Sequence, residues 1–451
     1  MAPSQDLAAD YCFVHAADLH LDTPFSGVGE TAPVVAAALR EASLDAFDNL
    51  VDLCLDRHAA FLVIAGDIYD GADRGIRAQL RFRDGLGRLS DAGIATFVVH
   101  GNHDPVESGW SAVSAWPPLV TIFGSDTVEA VPVHRDGKLL AVVQGISYGR
   151  TDVSENLALR FAPAAGPGIH VGVLHCNVAG STGGHEDYSP CSLQDLRRAG
   201  LDYWALGHIH ARSVLSGRPY GEEPWVVYPG NLQARSPKAS EQGAKGACVV
   251  AVCGGRVGSL EFVACDRIRY ATIDVDLAPF ISLDVLRDAL TSAGRAEIAR
   301  AGGRSVILRA HLSGRSELHG PLRAPRTLAE LLASLRDDFT PSDPWAWWDR
   351  LEDASAPPID LDDLRGGSDF AADLIAIAEE MAAACTEPAI VPGLEPSLPS
   401  DFLDDITSTL PKSLRARAMA SELSAGELLA AGLMAALDEL GAGETLNQAV
   451  S

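Results

Sequence analysis

Three short apolar runs in the first hundred residues each stop abruptly in a polar cluster, and that repetition constrains the fold more than anything else in the chain. Residues 13–17 end in Asp18-Leu19-His20-Leu21-Asp22. Residues 61–65 end in Gly66-Asp67-Ile68-Tyr69-Asp70. Residues 95–99, with Thr96 inside them, end in His100-Gly101-Asn102-His103-Asp104. Runs this short, closed by Gly and acids, read as buried strands. Between the first two, residues 31–58 put Val35, Leu39, Leu44, Phe47, Leu50 and Leu53 on or near one helical face, and a second helix covers about 74–92. The order β-α-β-α-β predicts an α/β fold whose ligands gather at the carboxyl ends of the strands.

The pattern continues. Strands are expected at 139–144, at 169–174 (ending in His175-Cys176-Asn177) and at 202–206 (ending in Gly207-His208-Ile209-His210). Another, 225–228, runs into Pro229-Gly230-Asn231-Leu232-Gln233, and 246–252 and 260–264 close the series. After Cys265 the pattern changes. Strands at 268–275, 305–311 and 345–350, with helices at 283–301 and 327–336, predict a small α+β unit. Residues 368–385 and 425–440 read as amphipathic helices, and 353–367 and 386–399 as linkers. The expected domains are 1–265, 266–352 and an acidic, partly helical 353–451. No internal repeat is visible.

Composition narrows the classes. With 451 residues, two or three domains and a large core are expected. The first ten residues lack an apolar signal sequence and no run could span a bilayer, which predicts a cytoplasmic protein with no membrane partner. The eight Cys are scattered, so reduced thiols are expected rather than disulfides, and Cys248 and Cys253 lack a second pair at zinc-site spacing. The net charge of −26 argues against a protein that coats nucleic acid by its own field. Residues 1–270 carry 21 Lys and Arg against 31 Asp and Glu, and residues 271–451 carry 14 against 30, so the C-terminal part is the more acidic.

The strand-end groups are Asp18, His20, Asp67, Asn102, His103, His175, His208 and His210. Seven ligands and one further imidazole exceed what one ion needs and suit two ions sharing a carboxylate. Asp67, alone after its strand, is the natural bridge. Asp18 and His20 alternate along an extended segment and point the same way, as do His208 and His210. Asp104 can orient His103.

Asp18-x-His20, Gly66-Asp67, Gly101-Asn102-His103-Asp104, His175 and Gly207-His208-x-His210 resemble, in order and spacing, the five motifs of the calcineurin-like metallophosphoesterases. The resemblance covers about residues 11–265. Ala17-Asp18-Leu19-His20-Leu21-Asp22-Thr23-Pro24-Phe25 and Pro229-Gly230-Asn231-Leu232-Gln233-Ala234-Arg235 look like the SbcD-type DNA repair exonucleases, closest to the bacterial YhaO branch. That likeness implies two mixed β-sheets flanked by helices, with a small capping domain behind. It implies two divalent ions, usually manganese: Asp18, His20 and His210 on one, Asn102, His175 and His208 on the other, and Asp67 between them. It implies hydrolysis of DNA phosphodiesters by a metal-activated hydroxide, with His103 as general acid and Asp104 holding its other ring nitrogen. The partners implied are DNA, an SbcC-type coiled-coil ATPase docked by the C-terminal helices, and a second copy of the chain. Those helices could equally pack on their own domain.

The remaining residues keep two readings each. His185, in the Gly-rich loop 179–185, would contact substrate or belong to a plain loop. Asn231 and Arg235 would touch phosphate or finish a turn. Tyr69 and Asp70 would support Asp67 or only turn the chain. Trp345, Trp347 and Trp348 would stack bases, but core packing is favoured. His15, His58, His100, His134, His170, His311 and His319 are structural or surface residues. Two other functions compete: an esterase for small phosphodiesters or phosphomonoesters on the same metal core, and a non-catalytic assembly subunit. Loss of a ligand would mark the latter, and every ligand is present.

Overall fold

The computed structural model describes residues 10–23, 25, 32–71, 75–107, 111–163, 167–179, 188–338, 344–359, 361–367, 370–386, 432–434 and 436–437. The first strands are β1 (Tyr11–Ala16), β2 (Phe61–Ala65), β3 (Ala95–Val99) and β4 (Val120–Ile122). They are followed by β5 (Glu129–Arg135), β6 (Lys138–Gly145), β7 (Ile169–His175), β8 (Tyr203–Gly207), β9 (Ser213–Ser216), β10 (Trp225–Tyr228), β11 (Gly246–Cys253) and β12 (Arg256–Ala264). They build two six-stranded sheets, β12-β11-β1-β2-β3-β4 and β5-β6-β7-β8-β10-β9. β1 to β4 are mutually parallel, and β11 and β12 are added antiparallel. In the second sheet β6, β7, β8 and β10 are parallel while β5 and β9 run against them. Both sheets are therefore mixed, as the resemblance implied.

β2 is buried along its whole length because each of its faces is covered. On one side the sheets meet: Phe13, Phe61, Val63 and Phe97 of the first pack on Val143, Val171, Tyr203 and Val227 of the second. Phe13 stacks on Phe61 with centroids 4.7 Å apart and meets Tyr203 edge-on at 5.2 Å. Each such ring contributes about 2–3 kcal/mol by burial. On the other side α1 (Pro33–Asp56) and α2 (Ile76–Asp91) lay Leu44, Phe47, Leu50, Phe82 and Leu86 over Val14, Leu62, Ile64 and Val98. The outer face of the second sheet is covered by Leu196 of α3 (Leu193–Arg198), which packs with Trp204, Leu206 and Val226. Four-sided burial is why these strands read as plain apolar runs. It also leaves their carboxyl ends as the place where polar side chains emerge.

A third sheet, β13-β14-β15, joins β13 (Ile268–Asp276), β14 (Ser305–Arg315) and β15 (Ala346–Ala356). The chain forms two compact units. One holds Met1–Thr272, Ser292–Arg309 and Arg336–Arg350; the other holds Ile273–Thr291, Ala310–Leu335 and Leu351–Ser451. Within the first, Trp345 and Trp347 pack with Val35, Leu39, Tyr270 and Ile307, and Trp348 is also buried. The tryptophans are core residues, as favoured above. Within the second, Arg287 of α4 (Leu283–Arg300) donates to Ser334 of α6 (Thr327–Asp337) at 2.7 Å. α5 (His319–Arg323) lies between these two helices in sequence.

The expected linker 353–367 is corrected: β15 runs to Ala356 and a short helix, α7 (Leu361–Arg365), follows. The helix expected at 368–385 is α8 (Phe370–Thr386), and its Ala371 and Ile375 are buried with Leu437, among Leu361, Leu364 and Leu433. Most of the helix expected at 425–440 and of the linker 386–399 lies outside the described residues. The seven cysteines whose side chains are described are all free. Among the described residues no helix is long and apolar enough to cross a membrane.

Candidate metal centre

Each proposed ligand leaves the carboxyl end of a parallel strand, and several do so in a strained conformation. Asp18 (φ 51°), His20 (φ 44°), Asp67 (φ 51°) and His208 (φ 102°) all lie in the left-handed region. Such a position costs a non-glycine residue on the order of 1–3 kcal/mol and persists where the surroundings over-determine it. The surroundings here are a lattice of hydrogen bonds. Asp18 N donates to Gly66 O at 3.0 Å and His20 N to Asp67 O at 3.0 Å. Both Asp18 oxygens accept from His208 N, at 3.0 and 3.2 Å, and Asp67 Oδ1 accepts from His103 N at 3.0 Å. Two glycines allow the loops to close. A Cβ on Gly101 would stand 2.3 Å from Asp67 Oδ1, and one on Gly207 would stand 1.8 Å from the main-chain oxygen of Ala65.

The ring nitrogens show what the arrangement is built to hold. His175 Nδ1 lies 2.9 Å from Ala65 O, which can only accept, so the proton sits on Nδ1 and Nε2 presents a lone pair. That lone pair faces Asn102 Oδ1 at 3.0 Å and Asp67 Oδ2 at 3.4 Å. On the other side His210 Nδ1 is bound to the Glu241 carboxylate at 2.7 Å, which leaves its Nε2 facing His20 Nε2 at 3.2 Å. The Asp18, His20 and His210 ligand atoms all lie within 4.8 Å of one another, and so do those of Asp18, Asp67 and His175. Carboxylate, amide-oxygen and imidazole donors that converge this closely suit cations. Burial pushes Asp18 well above the usual carboxylate range and Asp67 up to about 7. It holds the His20 and His210 rings down, and His175 down to about 4, so they are neutral and ready to ligate. The donor set fits two divalent cations.

Beside this group an open cavity of about 440 Å³ is lined by Asp67, Asp70, His103, His208, His210 and Arg235, with Ser236, Lys238 and Ser240 on one short segment. The expectation that Asp104 holds His103 is corrected. Asp104 is fully buried, and its oxygens accept from Gly101 N at 2.9 Å, Ile68 N at 2.9 Å and His100 Nδ1 at 3.0 Å. It ties the Asp67 loop to the Asn102 loop, and it gives His100 a structural partner. His103 Nδ1 instead meets Asp70 Oδ1 at 2.5 Å, and that hydrogen bond raises the His103 pKa. Asp70 in turn pairs with Arg235 at 2.9 Å.

Arg235 lines the cavity, whereas Asn231 is corrected as a substrate contact. It is fully buried, and its Nδ2 donates to Gln233 O at 3.0 Å and Glu241 Oε2 at 2.7 Å. His185 lies outside the described residues. Sequence reasoning missed two groups, the Asp70 partner of His103 and Glu241. The need of each ligating imidazole for an acceptor on its outer nitrogen was the signal that could have prompted a search for the second.

Known proteins resemble this chain over much of its length. Residues 13–212 match the calcineurin-like phosphoesterase family, and residues 270–356 match the middle domain of metallophosphoesterase YhaO. The chain is 34% identical over 359 residues to the uncharacterized metallophosphoesterase YhaO of Bacillus subtilis, covering 79% of this chain and 85% of that protein. It is 26% identical over 226 residues to the DNA double-strand break repair protein Mre11 of Thermoplasma acidophilum, covering 47% of this chain and 57% of the relative. A crystal structure of a dimetal phosphatase from Danio rerio aligns over 55% of this chain and 94% of its own, at 14% identity and a TM-score of 0.34. With convergent ligands at five strand ends and a relative matched over most of both chains, the protein belongs to the calcineurin-like metallophosphoesterases, in the YhaO family.

Proposed function

We propose that the protein is a manganese-dependent phosphodiesterase that cleaves DNA, with His103 as the proton donor to the leaving oxygen. The observation that carries this reading is the shared cavity. In a chain of net charge −26, Asp67, one imidazole of each ligand set (His208 and His210), His103 and the cations Arg235 and Lys238 line one opening. Asp18, His20 and His210 would hold one ion, Asn102, His175 and His208 the other, and Asp67 both. When bound, two such ions would polarise phosphate oxygens and activate a water as nucleophile. Asp70 holds the His103 proton at Nδ1 and favours the charged ring, so Nε2–H is the donor to the departing oxygen. Arg235 and Lys238 supply positive charge for the phosphate. DNA as substrate is supported by the Mre11 relative, a DNA double-strand break repair protein 26% identical over 226 residues. An ATPase partner would add the positive field that this acidic chain lacks.

The same acidic charge and a cavity of about 440 Å³ favour a second reading, hydrolysis of a small phosphodiester. One experiment separates the two. The purified protein with Mn²⁺ is given labelled single- and double-stranded DNA and a bis-aryl phosphodiester, beside His103→Ala. DNA cleavage that disappears in the variant supports the nuclease. Turnover of the ester with intact DNA rejects it in favour of the second reading.

A further inference from the structure

A buried carboxylate beside the metal ligands belongs to neither ligand set. Glu241 closes the 3-10 turn Ala239–Glu241 and is 5% exposed. Its Oε1 accepts from His210 Nδ1 at 2.7 Å, and its Oε2 accepts from Asn231 Nδ2 at 2.7 Å and Arg235 N at 3.1 Å. Lys245, itself buried, donates Nζ to His210 O at 2.9 Å and Ser240 O at 2.8 Å. Side chain and main chain of His210 are thus tied to the same turn. A carboxylate on Nδ1 fixes the tautomer, turns Nε2 toward His20 and makes the ring a stronger ligand. In the other subsite His175 takes its orientation from the main-chain oxygen of Ala65 instead.

We propose that Glu241 is a positioning residue for one metal subsite only. It holds His210 so that Asp18, His20 and His210 can bind their ion, and the subsite of Asn102, His175 and His208 does not depend on it. The proposal rests on the two-ion reading. Through Arg235 N and Asn231 the same carboxylate anchors the segment that brings Arg235, Ser236 and Lys238 to the cavity.

The test is a metal titration of the full chain, stripped of metal and loaded with Mn²⁺, followed by calorimetry and by electron paramagnetic resonance. Wild type is expected to bind two ions and give a spin-coupled spectrum. A wild type that binds fewer overturns the two-ion reading, and the proposal with it. In Glu241→Gln the new amide turns a donor toward Asn231 and the Arg235 main chain. One ion should bind as before, the other about 10- to 100-fold more weakly, and the coupled signal should give way to that of an isolated ion. Glu241→Asp keeps the charge but shortens its reach, and the same single loss is expected; it is the variant to read if the amide prevents folding. With wild type binding two ions, unchanged binding of both in Glu241→Asp overturns the proposal alone. So does equal weakening of both, which is what a general loosening of the fold produces.

Discussion

His175 and His210 are both proposed metal ligands with one ring nitrogen committed to an acceptor, yet they are held by different kinds of structure. His175 is the last residue of β7, fully buried, and its Nδ1 binds the main-chain oxygen at the end of β2. No substitution removes that acceptor. His210 follows β8 in a loop at the cavity, and its Nδ1 binds a side chain, Glu241. One half of the centre is part of the sheet, and the other hangs from a replaceable group. A family that keeps its metal core while changing its substrate can alter the second half without disturbing the first. Asp67, facing His20 Nε2 at 3.8 Å and His175 Nε2 at 3.4 Å, is where the halves meet.

The largest effect is therefore expected at that meeting point. Asp67→Asn should abolish turnover of a bis-aryl phosphodiester and reduce the metal content of both subsites, as measured by mass spectrometry of the dialysed protein. Retention of either ion at full affinity would show that the halves do not share the carboxylate. Next comes His103, the proposed proton donor, which belongs to neither half. His103→Ala should lower kcat by about 10²- to 10⁴-fold while two ions stay bound. Asp70→Asn should lower kcat less and shift the basic limb of the pH profile downward, because the Asp70 hydrogen bond is what raises the His103 pKa. An unshifted limb would mean that His103 draws its charge from another source.

Two close-approach glycines on the His175 side separate main-chain from side-chain obstruction through stability. A Cβ on Gly207 would strike the Ala65 main chain, which cannot turn aside; a Cβ on Gly101 would strike the side chains of Asp67 and His175. Gly207→Ala should then cost on the order of 3 kcal/mol of unfolding free energy in urea titration. Gly101→Ala should cost about 1 kcal/mol there and express itself mainly as weakened metal binding. Equal urea midpoints for the two would remove the distinction between main-chain and side-chain obstruction.

The sequence disclosed the first half of this picture more readily than the second. Ligands emerge at strand ends, where the apolar run stops and the spacing of Asp18-x-His20 and His208-x-His210 is visible in one line of text, although Asp18, His20 and His208 turn in the left-handed region instead of alternating along an extended segment. Glu241 lies 31 residues beyond the histidine it orients, in a polar stretch whose burial only the folded chain creates. Asp104 misled because adjacency in sequence suggested a pair, whereas its loop folds the two side chains apart and brings Asp70 across instead. The strands were legible on the same terms. β1, β2, β3, β7 and β8, buried in the sheet interiors, were expected where they occur. The sheet edges, β4, β5 and β9, were not, and only the second half of β12 was. An edge strand keeps polar residues on its open side: β5, Glu129–Arg135, is exposed at most positions and tolerates Pro132.

The smallest expected effect concerns acid, and it separates the empty centre from the loaded one. Burial lowers His175 to about 4 from an ordinary value of 6.5, and His15, which bonds Tyr203 and ligates nothing, to about 3. A histidine whose folded pKa is depressed stabilises the fold above 6.5, and that contribution is lost as pH falls from there toward the folded value. Each such ring removes about 1 kcal/mol between pH 6.5 and 5.5. Asp67 acts in the opposite sense. Raised to about 7 from 3.8, it binds a proton more readily when folded, so acidification through 7 stabilises the metal-free protein. Asp18, also raised by burial, acts with Asp67, so without metal the carboxyls offset part of what the histidines lose and the decline below pH 6.5 is shallower. With metal bound, both carboxyls must stay ionised to ligate, their compensation disappears, and the loss from the histidines stands alone. Urea titrations of the stripped and the Mn²⁺-loaded protein at pH 6.5 and 5.5 should therefore show the steeper fall in the loaded form. The same fall in both would mean that the carboxyls do not take up the compensating protons when the ions are absent.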